Sequence, residues 1–256
     1  EAAVACELVH TATLLHDDVV DEGDLRRGAP AARRVYGNSA SVLGGDHLLV
    51  DALLRVEDAV PALRSGLLAT MAAMVRAEAL QLERRRHFDP DRVAYMAIVR
   101  GKTASLFRWA LEAGGALGGL DSAACTALGG FGEALGTAFQ LVDDALDLAG
   151  DPATTGKSAC TDLREGKLTW PLIIAGERDE EVAARLRYAA AADGEIPAEV
   201  AAELVRQVLA TGAVEATTQE AARHADLARS HLATLPAGRA RDALAAIVDA
   251  AVARSQ

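Results

Sequence analysis

The fold is decided by one long stretch, ACTALGGFGEALGTAFQLVDDALDL, which runs from Ala124 to Leu148. Its apolar residues recur at three- and four-residue spacing, which is the period of an α-helix. Apolar side chains cover nearly the whole circumference of this predicted helix, so it belongs in the centre of a large helical protein. Each glycine between Gly129 and Gly136 weakens a helix by about 1 kcal/mol relative to alanine, and we expect these glycines to permit close helix packing.

The same periodicity fills most of the chain and predicts an all-α protein. The predicted helices are Ala2–Val20, Leu43–Val56, Leu67–Leu82, Arg92–Glu112, Ala124–Leu148, Trp170–Glu177, Glu180–Ala191, Ala198–Thr211, Val214–Ala233 and Arg239–Arg254. No run shows the two-residue alternation of β-branched side chains that is typical of a strand, so we expect no sheet. The connections are short and lack the composition of a linker, which favours a single domain over residues 1–256.

Composition excludes several classes of protein. Of the 256 residues, 51% are hydrophobic and 4% aromatic, and 26 basic residues face 37 acidic ones, for a net charge of −11. A nucleic-acid binder needs a basic surface and stacking rings, and a disordered chain lacks this apolar content. No apolar run is long enough to span a bilayer. Cys6, Cys125 and Cys160 have no metal-ligand spacing and are expected to be reduced thiols, so we expect a cytoplasmic protein.

The pattern Asp-Asp-x-x-Asp occurs at Asp17–Asp21 and again at Asp143–Asp147, each time at the end of an apolar helix. Residues i and i+4 share a helix face, so the first and last carboxylates of each cluster point the same way. Oxygen ligands without histidine or cysteine suit Mg²⁺, which usually takes one or two carboxylates together with substrate phosphates. The repeat therefore predicts a phosphate or diphosphate ester as substrate. A solvated acidic helix end is the alternative for either cluster alone.

Basic residues accompany both clusters. Arg26-Arg27-Gly28 follows the first, Lys157 and the segment Asp162–Lys167 follow the second, and Gly101-Lys102-Thr103 lies within a predicted helix. Arginine makes forked contacts with phosphate oxygens, and lysine supplies a point charge. Each of these residues alone is consistent with an ordinary surface charge, but their placement after the aspartate helices favours diphosphate binding.

Together these motifs resemble those of the trans-isoprenyl (polyprenyl) diphosphate synthases. Glu7–Gly28 resembles the first aspartate-rich motif of that family, and Phe139–Asp147 resembles the second. Gly156–Ile173 is similar to the segment that follows the second motif, and Gly101–Phe107 and Leu235–Arg239 are similar in placement. The resemblance covers essentially the whole chain, and the motif form is closest to medium- and long-chain members.

The resemblance implies a single large helical bundle around a deep central cavity, usually as a homodimer. It implies a prenyltransferase that condenses an allylic diphosphate with isopentenyl diphosphate, head to tail, with about three Mg²⁺ per active site. The implied metal ligands are Asp17, Asp21, Asp143, Asp147 and Asp162. The implied allylic diphosphate ligands are Arg26, Lys102, Lys157 and Lys167, while Arg27 and His10 would contact isopentenyl diphosphate. The implied catalytic residues are Lys102 and Lys157 with Thr103 and Gln140, which would lie beside the reacting carbons.

Product length depends, in this family, on bulk four or five residues before the first aspartate. Thr13 and Ala12 occupy these positions and are small, and the first aspartate motif lacks a two-residue insertion. Both features favour medium or long products, with a farnesyl or geranylgeranyl synthase as the alternative. Met71 and Met74 form either a deeper floor of the cavity or plain core.

One family segment has no match in this sequence, and three rival functions stay open. We expect a polyprenyl synthase domain over residues 1–256 that lacks the N-terminal helices of the family, including an isopentenyl-binding Gly-Lys-x-Arg type segment. A class I terpene cyclase typically has an Asn/Ser/Glu metal motif in place of the second cluster. A non-catalytic partner subunit of a heteromeric synthase tends to have lost one cluster. An acidic helical scaffold without chemistry would make both clusters a coincidence.

Overall fold

The computed structural model describes residues 1–85, 88–149, 161–191 and 196–253, and nearly all of them are helical. The helices are α1 (Ala2–Val20), α2 (Ala32–Tyr36), α3 (Asn38–Ala59), α4 (Arg64–Arg84), α5 (Arg92–Val99), α6 (Ser105–Leu117), α7 (Ser122–Ala149), α8 (Thr161–Arg164), α9 (Trp170–Arg178), α10 (Glu180–Ala191), α11 (Ala198–Ala210), α12 (Ala213–Ala233) and α13 (Arg239–Ala253). A 3₁₀ turn, Pro61–Leu63, joins α3 to α4. The predicted all-α fold is confirmed.

Helix α7 lies at the centre of the molecule, as its sequence predicts. It packs against α6 on one side and α12 on the other, and most of its side chains from Leu128 onward are buried. A β-carbon on Gly132 would lie 2.6 Å from the carbonyl oxygen of Phe107, and one on Gly136 would lie 2.7 Å from the Cα atom of Ala104. The glycines therefore allow the backbone of Ala104 and Phe107 to approach that of α7, which confirms the predicted close packing.

A small hairpin after α1 contradicts the expectation of no sheet. Strand β1 (Leu25–Arg26) pairs antiparallel with β2 (Ala29–Pro30). The two turn residues, Arg27 and Gly28, have φ angles of +52° and +77°. Positive φ at both central residues is typical of the two-residue hairpin turns that match strand twist. Strands of two residues are too short to leave a two-residue period in the sequence.

The predicted helix Arg92–Glu112 is wrong as a single element. The structure divides it into α5, a π-helical turn over Arg100–Ala104, and α6. Gly101 in this turn faces α4, where an added β-carbon would lie 2.6 Å from the Cβ atom of Ala77. Such π turns are frequent at functional sites, and this one carries Lys102 and Thr103.

Three apolar clusters form the core of the described residues. One joins α1, α3, α4 and α6, a second joins α7, α12 and α13, and the third lies around α9, α10 and α11. Met74 is buried in the first cluster together with Val9 of α1, and Met71 packs against it. None of the helices in the described parts of the chain combines the length and the apolar character that crossing a bilayer requires.

Candidate active site

Three basic side chains converge on the aspartates at the end of α1. Lys102 Nζ lies 3.5 Å from Asp17 Oδ2, and Lys167 Nζ lies 2.7 Å from Asp21 Oδ2. Arg85, just after α4, donates to Asp21 Oδ1 at 2.9 Å. Residues that are 64 and 146 positions from Asp21 in the sequence thus contact the same carboxylate. The structure brings Lys102 and Lys167, two of the predicted diphosphate ligands, to the first cluster.

The two aspartates of the first cluster differ in their electrostatics. Burial raises the pKa of Asp17, and the attraction of Lys102 offsets this only in part because Glu78 and Asp21 add negative charge. Burial also tends to raise the pKa of Asp21, but Lys167 outweighs it and the net pKa is lowered. A carboxylate whose charge is undercompensated stabilises an incoming cation. Asp17 therefore fits a divalent metal ion, and Asp21 lies one helical turn away on the same face with Lys167 and Arg85 as its partners.

Lys102 is surrounded by polar groups of α4 that the sequence analysis missed. Its Nζ forms an ion pair with Glu78 and donates to Gln81 Oε1 at 3.0 Å. Glu78 and Gln81 are three residues apart, so they share a face of α4. That spacing was the only signal in the sequence, and a solvated polar face produces it equally well. Arg85 was also missed, because it lies in a run of three arginines that a solvated polar face explains equally well.

A helix C-cap positions Lys167. The backbone N–H of Gly166 donates to Leu163 O at 3.1 Å, and that of Lys167 donates to Asp162 O at 2.8 Å. These two bonds, with Gly166 at φ +73°, form a Schellman motif that ends α8. Burial tends to lower the pKa of Lys167, but Asp162, Asp21 and Glu165 outweigh it and raise the pKa. Lys167 thus stays charged between the two aspartate clusters.

The second cluster is buried more deeply than the first. Asp144 is 2% exposed and accepts hydrogen bonds from Tyr95 Oη at 2.6 Å, Gln140 Nε2 at 2.9 Å and Trp170 N at 3.2 Å. Burial, together with the charge of Asp162, raises the pKa of Asp144 to about 7, although the three hydrogen bonds act against the rise. Asp144 and Tyr95 were not among the predicted site residues.

The structure joins other predicted residues of this region. Thr103 Oγ1 donates to Gln140 Oε1 at 2.9 Å, which links the π turn to α7. Asp147 Oδ2 accepts from the backbone N–H of Asp162 at 3.2 Å, and Asp143 is half-buried one turn before Asp147. The structure therefore brings Thr103 together with Gln140, and Asp147 together with Asp162.

The two arginines of the hairpin have different surroundings. Arg26 binds Asp18, which is 3% exposed, through Nε at 3.0 Å and through Nη2. Arg27 occupies the hairpin turn and is exposed. Arg26 therefore contacts the first aspartate motif through Asp18, a residue that had no predicted role.

The remaining predicted residues lie apart from these contacts. His10 is half-buried on α1, about 10 Å along the helix from Asp17. Within the described ranges, neither His10 nor Arg27 forms a hydrogen bond to an aspartate of either cluster. Lys157 lies outside the described residues.

The chemistry of the donors indicates which metal ion they fit. Among the residues the structure describes, no three histidine, cysteine, aspartate or glutamate side chains form a ready metal cage. Mg²⁺ does not require such a cage, because it usually takes one or two carboxylates and completes its shell with water and substrate phosphates. The pairs on α1 and α7 match that coordination.

Known proteins with similar sequences and structures agree with this geometry. The model of the family described as "Polyprenyl synthetase" matches residues 1–208. An octaprenyl diphosphate synthase from Escherichia coli is 38% identical over 260 residues, covering 99% of this chain and 79% of that protein. A nonaprenyl diphosphate synthase from Mycobacterium tuberculosis is 35% identical over 253 residues, covering 99% of this chain and 75% of that protein.

Solved structures show the same fold. A decaprenyl diphosphate synthase from Rhodobacter capsulatus has a TM-score of 0.92 and 37% identity, covering all of this chain and 79% of that one. A polyprenyl synthase from Caulobacter crescentus, complexed with calcium and isoprenyl diphosphate, has a TM-score of 0.90 and 40% identity, covering all of this chain and 77% of that one. These relatives confirm the predicted enzyme class, a trans-polyprenyl diphosphate synthase. The chain belongs to the polyprenyl synthetase family.

Proposed function

We propose that this chain condenses an allylic diphosphate with isopentenyl diphosphate, head to tail, to give a medium- or long-chain trans-polyprenyl diphosphate. One observation carries the proposal. Lys102 and Lys167 meet Asp17 and Asp21 at one end of the site, and Thr103 meets Gln140 beside them. Anion-binding cations, metal-binding carboxylates and neutral dipoles thus lie next to one another.

The proposed metal is Mg²⁺, which the oxygen donors suit, and the resemblance to the family implies about three ions per site. Asp17 and Asp21 would hold two ions on the α1 side, and Asp143 would hold the third, with Asp147 and Asp162 near it. When bound, Mg²⁺ supplies positive charge that neutralises the diphosphate leaving group.

The basic residues act on the departing diphosphate. In the substrate complex, the proposed diphosphate replaces Asp17 and Asp21 as the partner of Lys102 and Lys167, with Arg26 and Lys157 as further ligands. Positive charge at the leaving group stabilises the negative charge that develops as the allylic C–O bond breaks. The diphosphate takes the bonding electron pair, and a carbocation remains on the allylic group. Arg27 and His10 would hold isopentenyl diphosphate beside it.

The other side chains act on the carbocation. Thr103 Oγ1 and Gln140 Oε1 present partial negative charge without a full anion that would capture the cation. The double bond of isopentenyl diphosphate attacks the cationic carbon, a C–C bond forms, and a proton is lost to the released diphosphate. Apolar walls around the growing chain exclude water, which would otherwise quench the cation.

Two observations support medium or long products. Ala12 is fully buried and Thr13 is half-buried on α1, and neither offers the bulk that would stop a growing chain. The octaprenyl and nonaprenyl synthases named above are similar over almost the whole chain.

The test is chromatography of the dephosphorylated products after incubation of the full-length protein with isopentenyl diphosphate and each allylic primer. The expected product is longer than geranylgeranyl. A product that stops at farnesyl or geranylgeranyl supports the short-chain alternative. No turnover, with no effect of Asp17→Ala, supports a non-catalytic partner subunit.

We also propose that the protein is a homodimer that associates through α3 and α4. Leu43 and Val50 on α3 are 68% and 54% exposed, and Val75 on α4 is 69% exposed. Leu68 and Leu82 lie seven residues on either side of Val75 and are also exposed, so each helix carries an apolar stripe on one face. Contiguous exposed apolar stripes of this kind are typical of an interface between protein chains.

Sedimentation velocity tests the dimer. Val75→Glu is expected to shift the protein from dimer to monomer, whereas Val93→Glu, at a position 80% exposed on α5, leaves the dimer intact. A monomeric parent protein contradicts the proposal.

We further propose that residues 1–256 act as one polyprenyl synthase domain in the cytoplasm, where thiols such as Cys6 and Cys125 stay reduced.

A further inference from the structure

A continuous line of hydrogen bonds links a tyrosine outside the aspartate motifs to the residues proposed to face the carbocation. Tyr95 Oη donates to Asp144 Oδ2 at 2.6 Å, and Gln140 Nε2 donates to Asp144 Oδ1 at 2.9 Å. Thr103 Oγ1 then donates to Gln140 Oε1 at 2.9 Å. Four side chains on three elements, α5, the π turn and α7, are thus connected in a single row.

The carboxylate of Asp144 determines which end of the Gln140 amide points where. A glutamine amide has an acceptor oxygen on one side and an NH₂ donor on the other, and its terminal torsion has two broad wells. Gln140 Nε2 donates to Asp144 Oδ1 at 2.9 Å, so Asp144 selects the well in which Nε2 faces it. Gln140 Oε1 then faces Thr103, on the side where the allylic group would lie.

Asp144 is itself held by two donors on its other oxygen. Tyr95 Oη and the backbone N–H of Trp170 both donate to Oδ2, which leaves Oδ1 for Gln140. The ring of Tyr95 is buried against that of Trp170, with centroids 5.3 Å apart, and the residue is 6% exposed. Tyr95 is therefore fixed by packing, and its hydroxyl fixes the carboxylate.

The orientation of the Gln140 amide determines which partial charge faces the carbocation. An amide oxygen carries partial negative charge and stabilises a carbocation, whereas an NH₂ group in the same place carries partial positive charge and destabilises it. Binding of the diphosphate ends of the substrates depends on other residues. A rotated amide therefore lowers the rate of the chemical step and leaves substrate binding unchanged.

We propose that Tyr95 and Asp144 are positioning residues that hold the Gln140 amide with its oxygen toward the allylic carbocation. The inference rests on the proposed function, because only that function places a carbocation beside Gln140. Both residues are buried, at 6% and 2% exposed, and would act through Gln140.

The kinetic test is a double-mutant cycle in the full-length protein. Tyr95→Phe keeps the ring and removes the hydroxyl, and we expect kcat to fall about tenfold, the size of one hydrogen bond to a charged group. The KM values of both substrates are expected to stay within about twofold, since the lost interaction is made only in the transition state. Tyr188→Phe, at a tyrosine 83% exposed on α10, is the matched control and is expected to leave kcat unchanged.

The second arm of the cycle separates positioning from support of the fold. Gln140→Leu removes the amide, so adding Tyr95→Phe to this variant is expected to cause no further fall in kcat. The melting temperature is expected to fall by the same amount when Tyr95→Phe is added to the parent protein or to Gln140→Leu. An equal fall in kcat in both backgrounds, or a rise in KM, overturns the inference.

A measurement without turnover keeps the inference separate from the proposed function. Nitrogen-15 labelling of glutamine, with the Gln140 side-chain signal identified by its loss in Gln140→Leu, reports the amide directly. The signal is expected to show slow hydrogen exchange in the parent protein and faster exchange in Tyr95→Phe. Unchanged exchange in Tyr95→Phe overturns the inference even if the enzyme is active. Absence of turnover in the parent protein, with the exchange change observed, refutes the proposed function and leaves the orientation of the amide supported.

Discussion

Substitution of Gly132 by alanine tests the close packing of α6 against α7. The new β-carbon would lie 2.6 Å from the carbonyl oxygen of Phe107 and 2.8 Å from its carbonyl carbon. Both atoms belong to the backbone, so relief requires a shift of α6 rather than a rotation of a side chain. Overpacking of this kind costs typically about 1–3 kcal/mol, and the better helix propensity of alanine returns about 1 kcal/mol. Because the clash is with backbone, we take the upper end of that cost, about 3 kcal/mol. The net loss in the free energy of unfolding is then expected to be about 2 kcal/mol.

The assay is thermal unfolding followed by circular dichroism. A loss of about 2 kcal/mol lowers the melting temperature by about 4–8 °C for a chain of this size. Gly114→Ala is the matched control, because no atom lies within 4 Å of its added β-carbon inside α6. That control is expected to raise stability by about 1 kcal/mol through helix propensity alone. A stabilised Gly132→Ala, similar to Gly114→Ala, refutes the reasoning.

Two further predictions concern the site. Lys167→Met removes a cation 2.7 Å from Asp21 and is expected to lower kcat about 10²–10³-fold, as loss of one charge-stabilising group does. Lys167→Arg keeps the charge and is the control. The rate of diphosphate release is measured in the steady state, and an equal fall in kcat in Lys167→Arg and Lys167→Met contradicts a role of charge. Thr13→Phe adds bulk one turn before Asp17, and chromatography is expected to show shorter products than those of the parent protein. Thr11→Phe, on another face of α1, is the control, and equal shortening by both variants contradicts the account.

Helices with strong periodicity were predictable from the sequence, whereas departures from periodicity were not. The predicted bounds Ala2–Val20 and Glu180–Ala191 match the structure at both ends. The π turn was missed because the apolar period continues through Arg92–Glu112, and a single glycine such as Gly101 is tolerated within a helical pattern. Gly101 in this turn lies against α4, a contact across the fold that the periodicity does not report. The hairpin was missed because its strands have two residues each.

The same distinction applies to the site. Asp17 and Asp21 could be singled out by their spacing, and Lys102 and Lys167 by the resemblance of their motifs to those of the family. Contacts made across the fold were not predictable, and the hydrogen bond between Tyr95 and Asp144 spans 49 residues. A lone tyrosine in an apolar helix is usually an ordinary core residue, so its position in the sequence carries no signal. Glu78, Gln81 and Arg85 were missed for the same reason, since each fits a solvated helix face.

The central claim is that the aspartate clusters support metal-dependent ionisation of an allylic diphosphate. The most direct measurement is Mg²⁺-dependent release of diphosphate by the full-length protein, compared among the parent, Asp17→Asn, Asp143→Asn and the control Asp249→Asn. Asp249 lies on α13, pairs with Arg229 and is far from either cluster in sequence. We expect release only with both substrates and Mg²⁺ present, a fall of at least about 100-fold in each cluster variant, and full activity in Asp249→Asn. Release that persists without divalent metal, or that is equal in Asp17→Asn and the parent, contradicts the claim.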